Sequence, residues 1–445
     1  LVRKSLFDQV GGLDDVALKV SYSDIDLCLK IRELGYNVVW TPYAILLHEG
    51  SASQNSNVET KKKEDKLRRF AAEQDEMYRR WPDVIARDPA YNQNLALYST
   101  QFQINVNIAL ANDPVSWKPI PNLLAMPADR QGSGFYRIIH PSIFSHSTGS
   151  TRSRVCSGYP PVATYRQLEI DTLFSQRQVN DEQLKTLERY RKILDCKLVM
   201  DFDDLLTAVP YRSVHKKDIF KDIGARLRMA AAVVDRVTAS TEPLAEYFRG
   251  MAADVRVVPN ALFPPFWDGL QPQRRTSAKP RVGWAGGVSH DGDLAVIVDV
   301  IKELAGEVDW IFMGMCPDAI RPYIAEFHAG ADISLYPARL AALNLDLAVA
   351  PLEHNKFNEC KSNLRILEYG VLGYPVVATN FTPYQDGFPV TLVKNRFKDW
   401  VAAIRDHIND LDETARRGDA LRQVIRENWM LDKRLNTWLA AWNDW

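Results

Sequence analysis

Cys360–Val377, which reads CKSNLRILEYGVLGYPVV, follows the apolar run LDLAVAP (Leu345–Pro351), and together they decide the fold. They predict a buried strand, a polar loop, a short helix, a Gly-Tyr-Pro stop and a second buried strand. Continuous apolar strands joined by a helical crossover imply a parallel sheet. Ligands of such sheets bind beyond the carboxyl ends of the strands, where this loop falls. Glu368 sits inside the helix among Ile366, Leu367 and Leu372, and Lys361 precedes it on the same helical face. A cation near a helix N-terminus and a carboxylate two turns deeper suit one ligand with two ends, a diphosphate and a ribose diol.

Alternating strands and helices extend in both directions from this unit. Strands are predicted at FYRII (135–139), TLFSQ (172–176), KLVMDF (197–202), RVTAS (236–240) and VRVVP (255–259). After a Pro-rich basic linker at 263–280 come RVGWA (281–285), VDWIFMG (308–314), DISLYP (332–337), LDLAVAP and PVVAT (375–379). Two successive βα arrays predict an α/β fold of two Rossmann-like domains facing a cleft, at 114–265 and 280–420. A helix fills 421–445, where Trp438 and Trp442 share one face. Docking onto the neighbouring domain is one reading of that face, and a membrane-interface anchor is the other.

The front of the chain is different. Residues 1–55 have mixed α/β character, with a helix near Ile25–Leu34 and a strand near Asn37–Trp40. Residues 56–113 read as a connector that opens on the charged helical run KKKEDKLRRF, whose interleaved acids favour a solvated face.

A chain of 445 residues is too long for one ordinary core. Its net charge of −1 gives no reason to expect a nucleic-acid partner. The five cysteines (Cys28, Cys156, Cys196, Cys316, Cys360) are scattered, so reduced thiols in a cytoplasmic protein are expected. No apolar run approaches the ~18 residues of a membrane span. The opening LVRKSLFDQVGG reads as the middle of a domain, and a fragment of a larger polypeptide is expected.

The stretch from about Phe135 to Thr379 resembles the family 4 glycosyltransferases of GT-B fold. The residues carrying the likeness are VDRVTASTEPLAEYF, VRVVPNALFPPFW, RVGWAGGVSHDGDL and the Lys361–Val377 unit. In such enzymes the Val-Pro-Asn ending at Asn260 closes the first domain. Residues 1–55 resemble instead the last third of a family 2, GT-A-type glycosyltransferase, through VGGLDD (10–15), SDIDLCLKIRELGYNVVWTP (23–42) and HEGSAS (48–53). There the resemblance implies a catalytic base at Asp24 and a metal-binding histidine at His48. The nucleotide-binding half and its Asp-x-Asp are absent upstream, and Ser23 replaces an acid, so this segment is read as an incomplete, inactive GT-A remnant.

The family 4 resemblance implies that Glu368 hydrogen-bonds the ribose and that Lys361 contacts the diphosphate, with Ser362 beside it. Cys360 stands where the first glutamate of the family's two-glutamate motif belongs, so the resemblance implies either a different sugar contact, from Glu359 or Asn358, or weakened catalysis. Gly286 and Gly287 follow a strand and precede a helix near Asp293, where small residues let backbone N–H groups approach a phosphate. Ser289, His290 and Asp293 share that loop as donor-binding or capping candidates. Asp201, Asp203 and Asp204 end a first-domain strand and suit loop structuring or the acceptor side, with no metal expected. Arg137 and His140 are further acceptor-side candidates.

The resemblance thus implies transfer of a sugar, with retention, from a nucleoside diphosphate sugar to a glycan or lipid-linked acceptor in bacterial surface polysaccharide synthesis. No cofactor is expected beyond the donor, and the site is expected in the cytoplasm, with peripheral association at the inner face of the membrane. A nucleotide-sugar epimerase and a non-catalytic glycan-binding or scaffolding module are the alternatives.

Overall fold

The computed structural model describes residues 1–45, 60–97, 102–107, 110–111, 120–211, 213–287 and 290–444. The chain divides into two compact units. The first comprises Leu1–Pro114, Pro160–Glu169 and Lys192–Leu194, and the second comprises Val115–Tyr159, Ile170–Arg191 and Asp195–Trp445.

The first unit is built on helices Ser23–Glu33, Thr60–Arg80, Pro82–Ala86 and Val162–Leu168. Its centre is Asp26, fully buried. Asp26 accepts from the Trp81 indole at 2.9 Å and from Arg80 at 3.3 Å, and it pairs with Lys30 at 2.7 Å. A buried carboxylate is tolerated only when its charge is met in this way. The helix expected near Ile25–Leu34 is present. Asn37–Trp40, expected as a strand, has no regular structure, and Val39 and Trp40 stand exposed. Among the described residues this unit contains no strand, so the α/β character expected of residues 1–55 is not seen there.

The second unit contains two six-stranded parallel sheets, each the centre of one lobe. The first lobe holds β1 (Asn122–Met126), β2 (Arg152–Val155), β3 (Thr172–Gln176), β4 (Lys197–Phe202), β5 (Arg236–Ala239) and β6 (Val255–Val257), in the order β2-β1-β3-β4-β5-β6. The second holds β7 (Arg281–Ala285), β8 (Asp309–Gly314), β9 (Glu326–Ala329), β10 (Leu347–Ala350), β11 (Val376–Thr379) and β12 (Thr391–Val393), in the order β12-β11-β10-β7-β8-β9. The inner strands β1, β3, β10 and β11 are buried on both faces, as parallel sheets covered by helices require. The second order is that of a dinucleotide-binding sheet, with its reversal between β7 and β10. The two Rossmann-like domains expected from the sequence are therefore present.

Two predicted strands are helical. FYRII is a widened π-type turn (Phe135–Ile139) inside a continuous helical segment from Gly132 to Ser147, and Tyr136 through Ile139 are all buried. Such complete burial erases the one-sided pattern by which a helix is recognised in sequence. DISLYP is a turn leading into the helix Tyr336–Ala341, with Pro337 in its first turn, where a missing N–H costs nothing.

The C-terminal helix Leu431–Asn443 docks on the first lobe. Trp438 and Trp442 are fully buried with Leu123, Phe174 and Val199, and Arg236 donates to the carbonyls of Ala440 and Ala441 at 3.1 and 2.8 Å. The docking reading of these tryptophans holds; burial removes the membrane-anchor reading. No described helix is long and apolar enough to cross a membrane.

Candidate functional site

A cavity of about 910 Å³ opens between the two lobes, beyond the carboxyl ends of their strands. The first lobe contributes the loop Asp129–Ser133 after β1, together with Tyr136, Arg177, Asp203 and Asp204. The second contributes Gly286 and Gly287 after β7, Leu352 after β10, and His290, Tyr336, Lys361, Ser362, Arg365 and Glu368. The loops at the β7/β10 reversal thus form one wall, where an open α/β sheet leaves room for a ligand.

Glu368 lies in the middle of the helix Leu364–Val371 and is buried, 7% exposed. Its two oxygens accept separate hydrogen bonds from the Tyr136 hydroxyl at 2.7 Å and the Tyr336 hydroxyl at 3.0 Å. Burial raises the Glu368 carboxyl above its ordinary range, although both hydroxyls and the Arg365 charge work to hold it ionised. The carboxylate therefore faces the crevice and has no private arginine partner.

Lys361 and Arg365 stand on the same wall. Lys361 precedes the helix rather than belonging to it, because the helix starts at Leu364 with Asn363 as its cap. Its ammonium lies 5.1 Å from the Phe357 ring, and burial lowers its pKa, with Arg365 adding to the effect. Arg365 lays its guanidinium over the buried Trp284 ring at 5.1 Å and donates to His290 Nε2 at 3.2 Å. Among the described residues neither cation makes an ion pair with a carboxylate. Asp293 and Asp204 attract Lys361, and Glu368 attracts Arg365, from beyond ion-pair distance; a dianion in the cavity would meet both cations directly.

His290 is held by Asp293, with Nδ1 and Oδ2 2.7 Å apart. Burial lowers the imidazole to about 3, helped by the positive charges of Lys361 and Arg365. Asp293 is fixed in turn, for its other oxygen accepts from the Glu353 backbone at 2.9 Å and from the Asn358 amide at 2.8 Å. Burial works to raise the Asp293 carboxyl, but its bond to His290 and the Lys361 charge outweigh this and hold it low.

Gly286 has a packing role. A Cβ there would lie 2.6 Å from the Trp284 ring and 2.9 Å from the Arg365 guanidinium, so its absence makes room for both side chains, while Gly286 lines the cavity with its N–H donating to the Met313 carbonyl at 3.0 Å. Gly287 has nothing within 4 Å of the equivalent position and faces open space. That glycine retains the reading of close backbone approach.

Other expected residues are placed as follows. Ser362 lines the cavity and its hydroxyl accepts from the Asn260 amide at 2.9 Å. Glu359 does not line the cavity and pairs with Lys356 at 3.0 Å. Asn358 is consumed in bracing Asp293. Cys360 is buried, its thiol pushed up to about 11 by burial, and its carbonyl accepts from the Thr241 hydroxyl at 2.7 Å. Ser289 and His48 lie outside the described residues. Asp24 is an exposed first-turn residue of its helix.

On the acceptor side, Asp203 and Asp204 reach the cavity, whereas Asp201 does not. Asp201 is fully buried and receives both Nε and an Nη of Arg137 at 3.0 and 2.7 Å, plus the Thr238 hydroxyl at 2.6 Å. Arg137 lines the cavity, and it also donates to the Val258 carbonyl and to Asn260 at 2.6 and 3.0 Å, so most of its donors are engaged by the fold. His140, unlike Arg137, does not line the cavity: it stacks on Phe263 at 4.5 Å and meets Phe266 edge-on at 4.7 Å. Among the described residues no group of acids, histidines or cysteines could hold a metal ion.

The sequence reading missed Tyr136, Tyr336 and Arg365. The tyrosines were hidden in segments taken for strands. Arg365 is one turn before Glu368 in the same helix, a spacing that places both on one face.

No protein-family profile matches the chain. An uncharacterized protein of Sinorhizobium fredii, y4gI, is 48% identical over 105 residues, which is 24% of this chain and 11% of that protein. Sucrose-phosphate synthase from Thermosynechococcus elongatus superposes with a TM-score of 0.51 at 12% identity, over 72% of this chain and 97% of its own. Anabaena HepE in complex with UDP-glucose superposes with a TM-score of 0.50 at 14% identity, over 72% of this chain and 98% of its own. The likeness is one of fold: two parallel six-stranded α/β lobes about a cleft, the GT-B arrangement of glycosyltransferases.

Proposed function

We propose that the chain is a glycosyltransferase that takes its sugar from a nucleoside diphosphate sugar. One observation carries the reading: two unpaired cations, Lys361 and Arg365, and a buried acceptor-only carboxylate, Glu368, share one wall of a cavity at the sheet's topological switch point. A diphosphate answers the cations, and a ribose diol answers the carboxylate. The UDP-glucose in the HepE structure of similar fold makes uridine nucleotides the first donors to try.

In this mechanism the donor lies along the second lobe and the acceptor, a glycan or lipid-linked saccharide, enters from the first. As the glycosidic bond breaks, negative charge grows on the leaving diphosphate oxygen. Lys361, Arg365 and the backbone at Gly287 are preorganised to stabilise it, and the reaction needs no cofactor beyond the donor. Walls from both lobes exclude water and so disfavour hydrolysis. Retention of configuration, a cytoplasmic site of action, association with the inner face of the membrane and a place in bacterial surface polysaccharide synthesis belong to the same proposal.

Calorimetric titration with UDP, GDP and dTDP tests it. One of the three should bind, and Glu368→Ala should weaken that binding at least tenfold. Binding that survives the substitution unchanged would show that the carboxylate does not hold the nucleotide.

A further inference from the structure

Arg365 is held in place by a chain of contacts that reaches into the body of the second lobe. Its guanidinium lies over Trp284, and one amino group donates to His290 Nε2 at 3.2 Å. For that nitrogen to accept, the imidazole proton must sit on Nδ1, where Asp293 Oδ2 receives it at 2.7 Å. Protonating the ring would set a second positive charge against the guanidinium, and burial already keeps His290 neutral. Asp293 is anchored by the Glu353 backbone and by Asn358. Finally, the space that Arg365 occupies exists because residue 286 has no side chain.

We propose that Arg365 is a direct ligand of the donor's diphosphate and that Asp293 and His290 form its positioning dyad. This rests on the function proposed above and adds residues and roles to it. The imidazole engages one edge of the guanidinium and the indole one face, and the Tyr369 and Tyr384 hydroxyls lie within reach of it; an anion takes the N–H groups that these neutral partners leave or yield. A planar fork oriented in this way matches paired phosphate oxygens better than a free lysine would. The dyad is not a proton relay: a histidine held neutral against an ionised aspartate acts as a fixed acceptor, and its function is to prevent rotation of the arginine.

The test uses UDP and inorganic pyrophosphate as probes, with affinities from calorimetry on variants whose circular dichroism matches the wild type. Arg365→Gln should weaken both probes by 10- to 100-fold, the scale of a charge-assisted hydrogen bond. His290→Leu should weaken them by several-fold to tenfold. His290→Gln, which can still donate to Asp293 and accept from Arg365, should stay within threefold of the wild type. In the Arg365→Gln background, His290→Leu should cost nothing further, because the dyad acts only through the arginine. If His290→Leu does not fold, Arg365→Lys serves instead: it keeps the charge, loses the planar edge, and should bind both probes at least fivefold more weakly. UDP binding that Arg365→Gln leaves unchanged overturns this inference alone. An undiminished His290→Leu penalty in the double variant overturns the dyad. A wild-type protein that binds neither probe overturns the proposed function as well.

Discussion

The Tyr136 hydroxyl donates to Glu368 at 2.7 Å, joining residues 232 positions apart and tying the helical segment of the first lobe to the carboxylate of the second. Tyr336 takes the other oxygen at 3.0 Å, so two phenolic hydroxyls stand where a ribose diol is proposed to bind. With both oxygens engaged, a nucleotide has to share or displace at least one tyrosine. Tyr136→Phe should therefore tighten UDP binding three- to tenfold, because a hydrogen bond worth about 1 kcal/mol no longer competes. Calorimetry measures this directly; weaker binding would make Tyr136 part of the donor site instead of its competitor.

Gly286 and Gly287 should behave oppositely despite being neighbours. Gly286→Ala drives a methyl into the Trp284 ring and the Arg365 guanidinium, and should destabilise the protein by about 1–3 kcal/mol through overpacking. Gly287→Ala meets open space and should be close to neutral in urea unfolding. Equal melting temperatures for the two variants would contradict the packing described here.

The Arg137–Asp201 pair carries a third expectation. Both side chains are almost completely buried, at 1% and 0% exposure. Removing one partner leaves the other charge without compensation at a cost of about 3–5 kcal/mol. Arg137→Met should shift the urea midpoint accordingly, and a loss under 1 kcal/mol would mean that water reaches Asp201.

Acid sensitivity follows from His140. Burial among aromatic rings lowers its pKa from 6.5 to about 4. The unfolded chain takes up a proton near pH 6.5 while the native protein refuses it until about pH 4. Stability contributed by this residue is therefore complete above pH 6.5 and is lost as pH falls toward 4, by about 1.4 kcal/mol per unit. His140→Phe should flatten that slope in unfolding experiments run between pH 7.5 and 4.5, and an unchanged slope would place the sensitivity elsewhere. His407, lowered to about 4 by burial, supplies a second such contribution that the variant leaves intact.

The second lobe was readable because its strands are short apolar runs flanked by turn residues, and RVGWA, LDLAVAP and PVVAT fall within a residue or two of β7, β10 and β11. Glu368 was readable because a carboxylate amid Ile366, Leu367 and Leu372 has to be matched by something. What escaped depended on tertiary surroundings. FYRII holds aromatic and β-branched residues that favour strands in isolation, yet burial on all sides lets them form a helix. Its misreading also concealed Tyr136. The β1 strand, NLLAM, carries little β-branching, and β9 and β12 are too short and too exposed to give a periodic signal. The packing role of Gly286 escaped because the sequence cannot show which side chains fill the space beside it.

The path of the chain places a constraint on biosynthesis. The apolar floor of the first lobe, at Leu123, Phe174 and Val199, is sealed by Trp438 and Trp442, and the Thr172 hydroxyl donates to the Trp442 carbonyl at 3.0 Å. Those tryptophans leave the ribosome only after the whole second lobe has been made. During translation the earlier lobe must therefore wait with an uncovered greasy trough, exposed to chaperones and to aggregation, until the last helix arrives to cap it.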